Sequence, residues 1–152
     1  MAREHFTAPT NPYHYVLHCI GGKWKMTILH EIYTAGKIHF NQTLKVLPIS
    51  EKMLSQQLKE LIEDGLVQRI VNGNTYPPSI DYVLTTAGSR IIPALDILYI
   101  WSIRQMDARD IPIDADAFAV HKAEKYVEAL KDIMESNDFW PDTERRGITG
   151  KK

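Results

Sequence analysis

The apolar positions along the chain change period several times, and each change marks an element. Between residues 12 and 20, Tyr13, Val16, Leu17 and Ile20 recur at helical spacing. Asn11 supplies a capping side chain, Pro12 suits the first helical position, and Gly21-Gly22 ends the helix. Residues 23–34 predict a second helix, buried through Trp24, Ile28, Leu29 and Ile32 and stopped at Ala35-Gly36. A short extended piece follows at 37–40. Residues 41–47 predict a short helix with Leu44 and Leu47 inward; Pro48 breaks it and Ile49 sits in the turn. Ser50 caps the next helix, over 50–64, which Gly65 closes. Its Leu54, Leu58, Leu61 and Ile62 follow the i, i+4, i+7, i+8 pattern, so one face packs inward.

The period then drops to two. Residues 66–71 read as a strand, Asn72-Gly73-Asn74 as a turn, and Pro77-Pro78 as a loop extension. Residues 80–84 form a second strand, with Ile80, Tyr82 and Leu84 alternating against Asp81 and Val83. The pair predicts a hairpin with a long polar tip. Thr85-Thr86 caps a long helix to about residue 105, apolar around nearly its whole circumference from Ile91 to Ile103. Such a helix must be covered on more than one side, by its own domain and by a second subunit. Pro93 lies inside it and should kink or restart it.

The organisation expected is therefore a flexible arm over 1–10, a main domain over 11–105, a helical extension over 106–136 and a polar tail over 137–152. Asp114 or Asp116 caps the extension, whose stripe runs from Ala119 to Met134. The fold class is α+β, mostly helical.

Composition narrows the function classes. No apolar run reaches the roughly 18 residues of a membrane span, and the N-terminus lacks a secretory signal's apolar stretch. The single cysteine, Cys19, cannot form an internal disulfide, which fits a reducing cytoplasm. The net charge is −1, but between Lys23 and Lys59 six lysines face only Glu31 and Glu51 before the acidic end of the 50–64 helix. Taken alone, those lysines describe a solvated surface as well as a phosphate-contacting one.

The order of elements brings the DNA reading level with a solvated helix of a small α+β domain and leaves both open. Helix, short strand, helix, sharp turn, capped helix and polar-tipped hairpin make a winged helix-turn-helix. A helix has the width of the major groove, a second helix crossing behind fixes its angle, and a hairpin tip reaches flanking backbone or minor groove. The 50–64 helix is the candidate reader. Its outward residues are Ser50, Glu51, Lys52, Ser55, Gln56 and Lys59, mostly polar or basic and carrying groups for bases and phosphates, while Glu60, Glu63 and Asp64 at its far end repel phosphate. Lys23 and Lys25, at the start of a helix, join the candidates.

Three motifs carry a family resemblance. Ile20-Gly21-Gly22-Lys23-Trp24-Lys25 resembles the opening signature of HxlR-type regulators. So does the run from Ile49 to Leu61, followed by Glu63-Asp64-Gly65-Leu66-Val67. Pro77-Pro78 before Asp81-Tyr82-Val83-Leu84-Thr85, then Ala87-Gly88, is the third. The resemblance spans residues 11–101. It implies a bacterial, homodimeric winged-helix regulator of transcription that binds double-stranded DNA at an inverted repeat. It implies flanking dimerisation helices, contributed by the first helix and those after Thr85, and a wing near Asn72 to Tyr76. Asn41, Asn74 and Tyr76 complete the expected DNA-contacting set. An effector of unknown identity is left open. No cofactor, metal or membrane partner is expected.

One departure stands out. Family members often carry a cysteine directly before the proline that opens the first helix, and some sense oxidants with it; here that position is Asn11. Cys19 sits near a helix C-terminus, which disfavours thiolate, and reads as a buried structural cysteine. His14 and His18 have metal-ligand spacing but no third ligand nearby, and read as surface or interface histidines. No nucleophile comes with a base and orienter, so an enzyme is not expected. The competing class is a protein-interaction module that keeps the winged-helix shape without touching DNA.

Overall fold

The computed structural model describes residues 3–74 and 76–112. The element order is α1 (Pro12–Ile20), α2 (Lys25–Ala35), α3 (Phe40–Val46), α4 (Glu51–Glu63), β1 (Val67–Asn72), β2 (Ser79–Leu84) and α5 (Thr86–Ala108). This is the expected winged helix-turn-helix of the α+β class. The helix expected between 114 or 116 and 136, and the tail after it, lie outside the described residues. The chain divides into two units, Met1–Ser89 and Arg90–Lys152; α5 begins in the first and runs into the second.

Local chemistry sets most boundaries of the first unit. The Asn11 carboxamide oxygen accepts from the Tyr13 N–H at 2.9 Å, capping α1. Ser50 Oγ accepts from the Met53 N–H at 3.1 Å, capping α4. Each such cap stabilises its helix by about 1 kcal/mol. Gly65, at φ +75°, takes the left-handed conformation that lets the chain leave α4. Thr85 Oγ1 accepts from the Gly88 N–H at 3.0 Å and donates to the Gly65 carbonyl at 2.6 Å. The start of α5 is thereby fastened to the end of α4.

The core of this unit gathers Ile28, Leu29 and Ile32 of α2, Leu54, Leu58 and Leu61 of α4, and Leu66 and Val67 at the start of the hairpin. Ile49, in the turn before α4, is buried as well. The strands pair antiparallel, from Val67 with Leu84 to Asn72 with Ser79. Ile38 adds a one-residue rung, exchanging both backbone hydrogen bonds with Tyr82.

Burial departs from the apolar pattern at Asp81 and at Trp24. Asp81, the polar member of the β2 alternation, is the buried residue of the strand, 5% exposed. Its carboxylate accepts from the Asn72 carboxamide and lies 3.3 Å from Lys37 Nζ and 2.8 Å from His39 Nδ1. A carboxylate so supplied can be buried where an unpaired one could not. In the leading segment Arg3 bonds Asp64 at 2.6 Å, and the Phe6 ring meets Tyr15 and His18 edge-on at 5.3 and 4.8 Å. Trp24 is only half-buried and precedes α2 rather than lining its inner face.

In the second unit α5 continues through Pro93 as one element, so the expected restart does not occur. Ile92 and Leu95 are buried, whereas Ile97, Leu98 and Trp101 are exposed. An apolar surface is likewise open on α1, where Tyr13 and Leu17 are 82% and 66% exposed.

Gly88 gives a test of the packing. A Cβ there would stand 2.0 Å from the Leu66 carbonyl oxygen, a backbone atom that cannot swing aside. Gly88→Ala is expected to destabilise the protein by about 2–3 kcal/mol, read as a lower urea midpoint. An unchanged midpoint would contradict the close approach.

Candidate nucleic-acid interface

The side chains expected to read DNA follow from how α4 is seated. Leu54, Leu58 and Leu61 are fully or almost fully buried, which turns the opposite side of the helix to solvent. Lys52, Ser55, Gln56 and Lys59 stand there, all exposed along the helix. Ser50 lies exposed at the N-terminal end of the same helix. The N-terminus of α4, with the positive end of the helix dipole, borders this stripe at Ser50 and Lys52.

Asn41 is exposed in the first turn of α3. Beyond the strands, Asn74 and Tyr76 are exposed in the hairpin loop, Tyr76 almost completely at 99%. A hollow of about 280 Å³ opens between α4 and the hairpin, with Ser55, Lys59, Glu63, Arg69 and Tyr82 among its walls. Arg69 sits on β1 opposite Tyr82. In the sequence it reads only as a polar partner in an alternating strand. The signal that could have found it is its isolation, since no other basic residue lies between Lys59 and Arg90.

The two lysines ahead of α2 have different fates. Lys23 is exposed, its ammonium 5.1 Å from the centre of the Trp24 ring. Lys25, expected beside it as a phosphate contact, is 6% exposed and places Nζ 2.7 Å from Glu60 Oε2. It therefore faces the interior and leaves the candidate surface. Glu60 in turn accepts from the Gln56 carboxamide at 3.0 Å. Arg3 meets Glu63 at 3.4 Å and Asp64 at 2.6 Å, and His18 Nε2 lies 3.3 Å from Asp64. All three acids at the end of α4 thus have a basic neighbour.

Burial pushes the Glu60 carboxyl up. Hydrogen bonds from Lys25 and Gln56, with the charges of Lys25 and Arg3, outweigh that and hold it below its ordinary 4.5. Cys19 is buried in α1. Burial pushes its thiol up; Tyr15, Arg3 and Lys25 oppose that without overcoming it. Among the described residues no group of three His, Cys, Asp or Glu is placed to hold a metal ion. His14 is exposed, and His18 is engaged by Phe6 and Asp64.

Comparison with known proteins agrees with this geometry. The HxlR-like helix-turn-helix family model matches residues 19–110. The HTH-type transcriptional regulator YdzF of Bacillus subtilis (strain 168) is 39% identical over 95 residues, 62% of this chain and 86% of that protein. The crystal structure of the HTH-type transcriptional regulator ytcD is similar at a TM-score of 0.59 and 37% identity, covering 64% of this chain and 99% of that one. The redox regulator HypR in its reduced form is similar at a TM-score of 0.61 and 34% identity, covering 66% and 98%.

Two measurements test the site's electrostatics. A carboxyl depressed in the folded state contributes stability that is complete above its unfolded pKa and is lost as pH falls through the folded one. Between about pH 5 and pH 3 the wild type should lose more stability than Glu60→Gln, read as urea midpoints. Parallel slopes would remove Glu60 from the account. For Cys19, a raised pKa and burial predict that a disulfide reagent labels the native protein at least roughly tenfold more slowly than the urea-unfolded chain. Equal rates would show an open, reactive thiol.

Proposed function

Because this chain belongs to the HxlR-like helix-turn-helix family, we propose that it regulates transcription by binding duplex DNA as a homodimer on an inverted-repeat operator. The observation that carries the reading is the polar stripe of α4, held outward by three buried leucines. Gln56 and Ser55 are assigned to base edges, since Gln can bond adenine in a bidentate way and Ser can contact several bases. Ser50, Lys52, Lys59, Asn41 and Lys23 are assigned to phosphates, which set register and orientation. Asn74 and Tyr76 at the hairpin tip reach the flanking backbone or minor groove. Arg69, at the foot of the hairpin, joins the phosphate set, and Lys25 is withdrawn from it.

The exposed apolar side chains supply the reason for a dimer. Tyr13 and Leu17 on α1, and Ile97, Leu98 and Trp101 on α5, would cost free energy if left in water. A second copy could cover such side chains, and a two-fold dimer with its reader helices about one DNA turn apart would match an inverted repeat. Among the described residues no helix is long and apolar enough to cross a membrane, and a task on DNA is a cytoplasmic one. The role is binding rather than catalysis; the effector is unassigned.

Anisotropy titration tests this with two duplexes, one enriched by selection from a random pool and one of random sequence. Wild-type affinity should fall on the order of 100-fold or more between about 50 and 200 mM salt. Gln56→Ala should cost about 1–3 kcal/mol on the enriched duplex and little on the random one. Lys52→Ala and Arg69→Ala should weaken both and each lower the salt slope by about one. The free protein should sediment at twice the 17.4 kDa chain mass. Absence of binding at low salt, or a lone monomer, would sink the proposal.

A further inference from the structure

Lys25 is a lysine that the DNA reading leaves without a task. It is buried, its ammonium meets one oxygen of Glu60 at 2.7 Å, and the other oxygen of Glu60 accepts from Gln56 at 3.0 Å. We infer that Lys25 is a positioning residue for base readout, acting through Glu60 to fix which way the Gln56 carboxamide faces. The inference rests on the DNA-binding reading above and deepens it.

A glutamine carboxamide has two N–H donors and one oxygen acceptor. A free glutamine on a helix surface rotates among several conformers and can present either end. Here a carboxylate, which only accepts, stands one turn away on the same face. It takes one N–H and thereby commits the nitrogen to its own side. What remains outward is one N–H and the oxygen side by side, the donor–acceptor pair that an adenine edge requires.

The commitment holds only while Glu60 itself is held. Lys25 does this from the interior at 2.7 Å, with Arg3 Nε as a second, more distant cation 3.8 Å from the oxygen that Gln56 bonds. Without it, the carboxylate could turn toward the groove, where it would release Gln56 and repel phosphate. Fold stability gives less reason for the pair. A buried or nearly buried ion pair is often no more stabilising than apolar side chains of the same volume. Orientation of a neighbouring group is something apolar side chains cannot supply.

The test is selection from a pool of random duplexes, followed by titration of the enriched duplex and its single-base variants. Wild type should show one base position whose preference Gln56→Ala abolishes. Lys25→Met with Glu60→Met removes the pair while keeping its bulk. This variant should stay folded by circular dichroism, keep the wild-type salt slope, and lose discrimination at that same position by roughly tenfold. Adding Gln56→Ala to it should change nothing further. Glu60→Gln provides a second route should the pair variant fail to fold. In that variant Lys25 would claim the oxygen of the substituted carboxamide and turn its nitrogen toward Gln56. The Gln56 carboxamide would then have to flip. Preference at that position should move off adenine, an outcome a merely structural staple would not produce.

The inference is overturned if the pair variant and Glu60→Gln both keep the wild-type preference. It is overturned equally if Lys25→Met with Glu60→Met weakens all sequences alike with a shallower salt slope, which would make Lys25 a phosphate contact. Failure of wild type to bind any duplex is a different result, since it removes the DNA-binding reading itself.

Discussion

The rotation of α4 about its own axis is the constraint on which the surface depends. Leu54, Leu58 and Leu61 occupy one side of that helix, and all three are buried. Burying one such side chain stabilises by about 1.5–3 kcal/mol, whereas a polar side chain on the solvent side typically changes stability by less than about 0.5 kcal/mol. The leucines therefore decide how the helix is turned. Lys52, Ser55, Gln56 and Lys59 face solvent because they lie opposite, and no folding energy has to be assigned to them. A turn of one residue would uncover a leucine and drive a polar group inward. The surface is free to vary in chemistry while its placement stays fixed by the core.

The ends of α4 are held by different means. At the start a single hydroxyl, Ser50, satisfies a backbone donor. At the finish the contacts come from distant parts of the chain: Arg3 from the leading segment, His18 from α1 and Lys25 from α2. Thr85 joins the same corner by bonding the Gly65 carbonyl. The C-terminal end of the helix is therefore an anchor and the N-terminal end is open to solvent. That polarity agrees with the chemistry, since the free N–H groups and the positive dipole end lie where phosphate would approach.

How much of this was legible follows from the reach of each interaction. Caps, glycine stops and the hairpin turn are local, and they located α1, α4 and the hairpin to within a residue or two. The amphipathic pattern of α4 likewise gave both its buried and its exposed sides. Lys25 was misplaced because nothing near it in the chain shows that Glu60, far along the sequence, receives it. The burial of Asp81 was illegible for a similar reason: alternation reports polarity, and the arrival of Lys37, His39 and Asn72 makes a buried carboxylate tolerable. Arg69 was visible as a basic residue, but its nearness to Lys59 across a hollow depends on how the hairpin leans on α4. What periodicity does not encode is thus chiefly ionic and long-range.

The same ionic contacts reconcile a chain of net charge −1 with the proposed binding of a polyanion. Phosphate responds to charge within about 8–10 Å at moderate ionic strength, and hardly to the total. Along α4 the acids and bases are treated unequally. Lys25 pairs with Glu60 and Arg3 is shared between Glu63 and Asp64, so two of the three negative charges at the far end are balanced, while Glu51, exposed in the first turn, makes no ion pair among the described residues. Lys52, Lys59 and Arg69 make no ion pair among the described residues, so their positive charge stays available. Pairing thus reduces the negative field at the far end of the helix, and the unpaired Lys52, Lys59 and Arg69 outnumber the unpaired Glu51. A local surplus of this kind arises without any excess of basic residues, provided the cations that neutralise the acids are drawn from the interior and the leading segment, as Lys25 and Arg3 are.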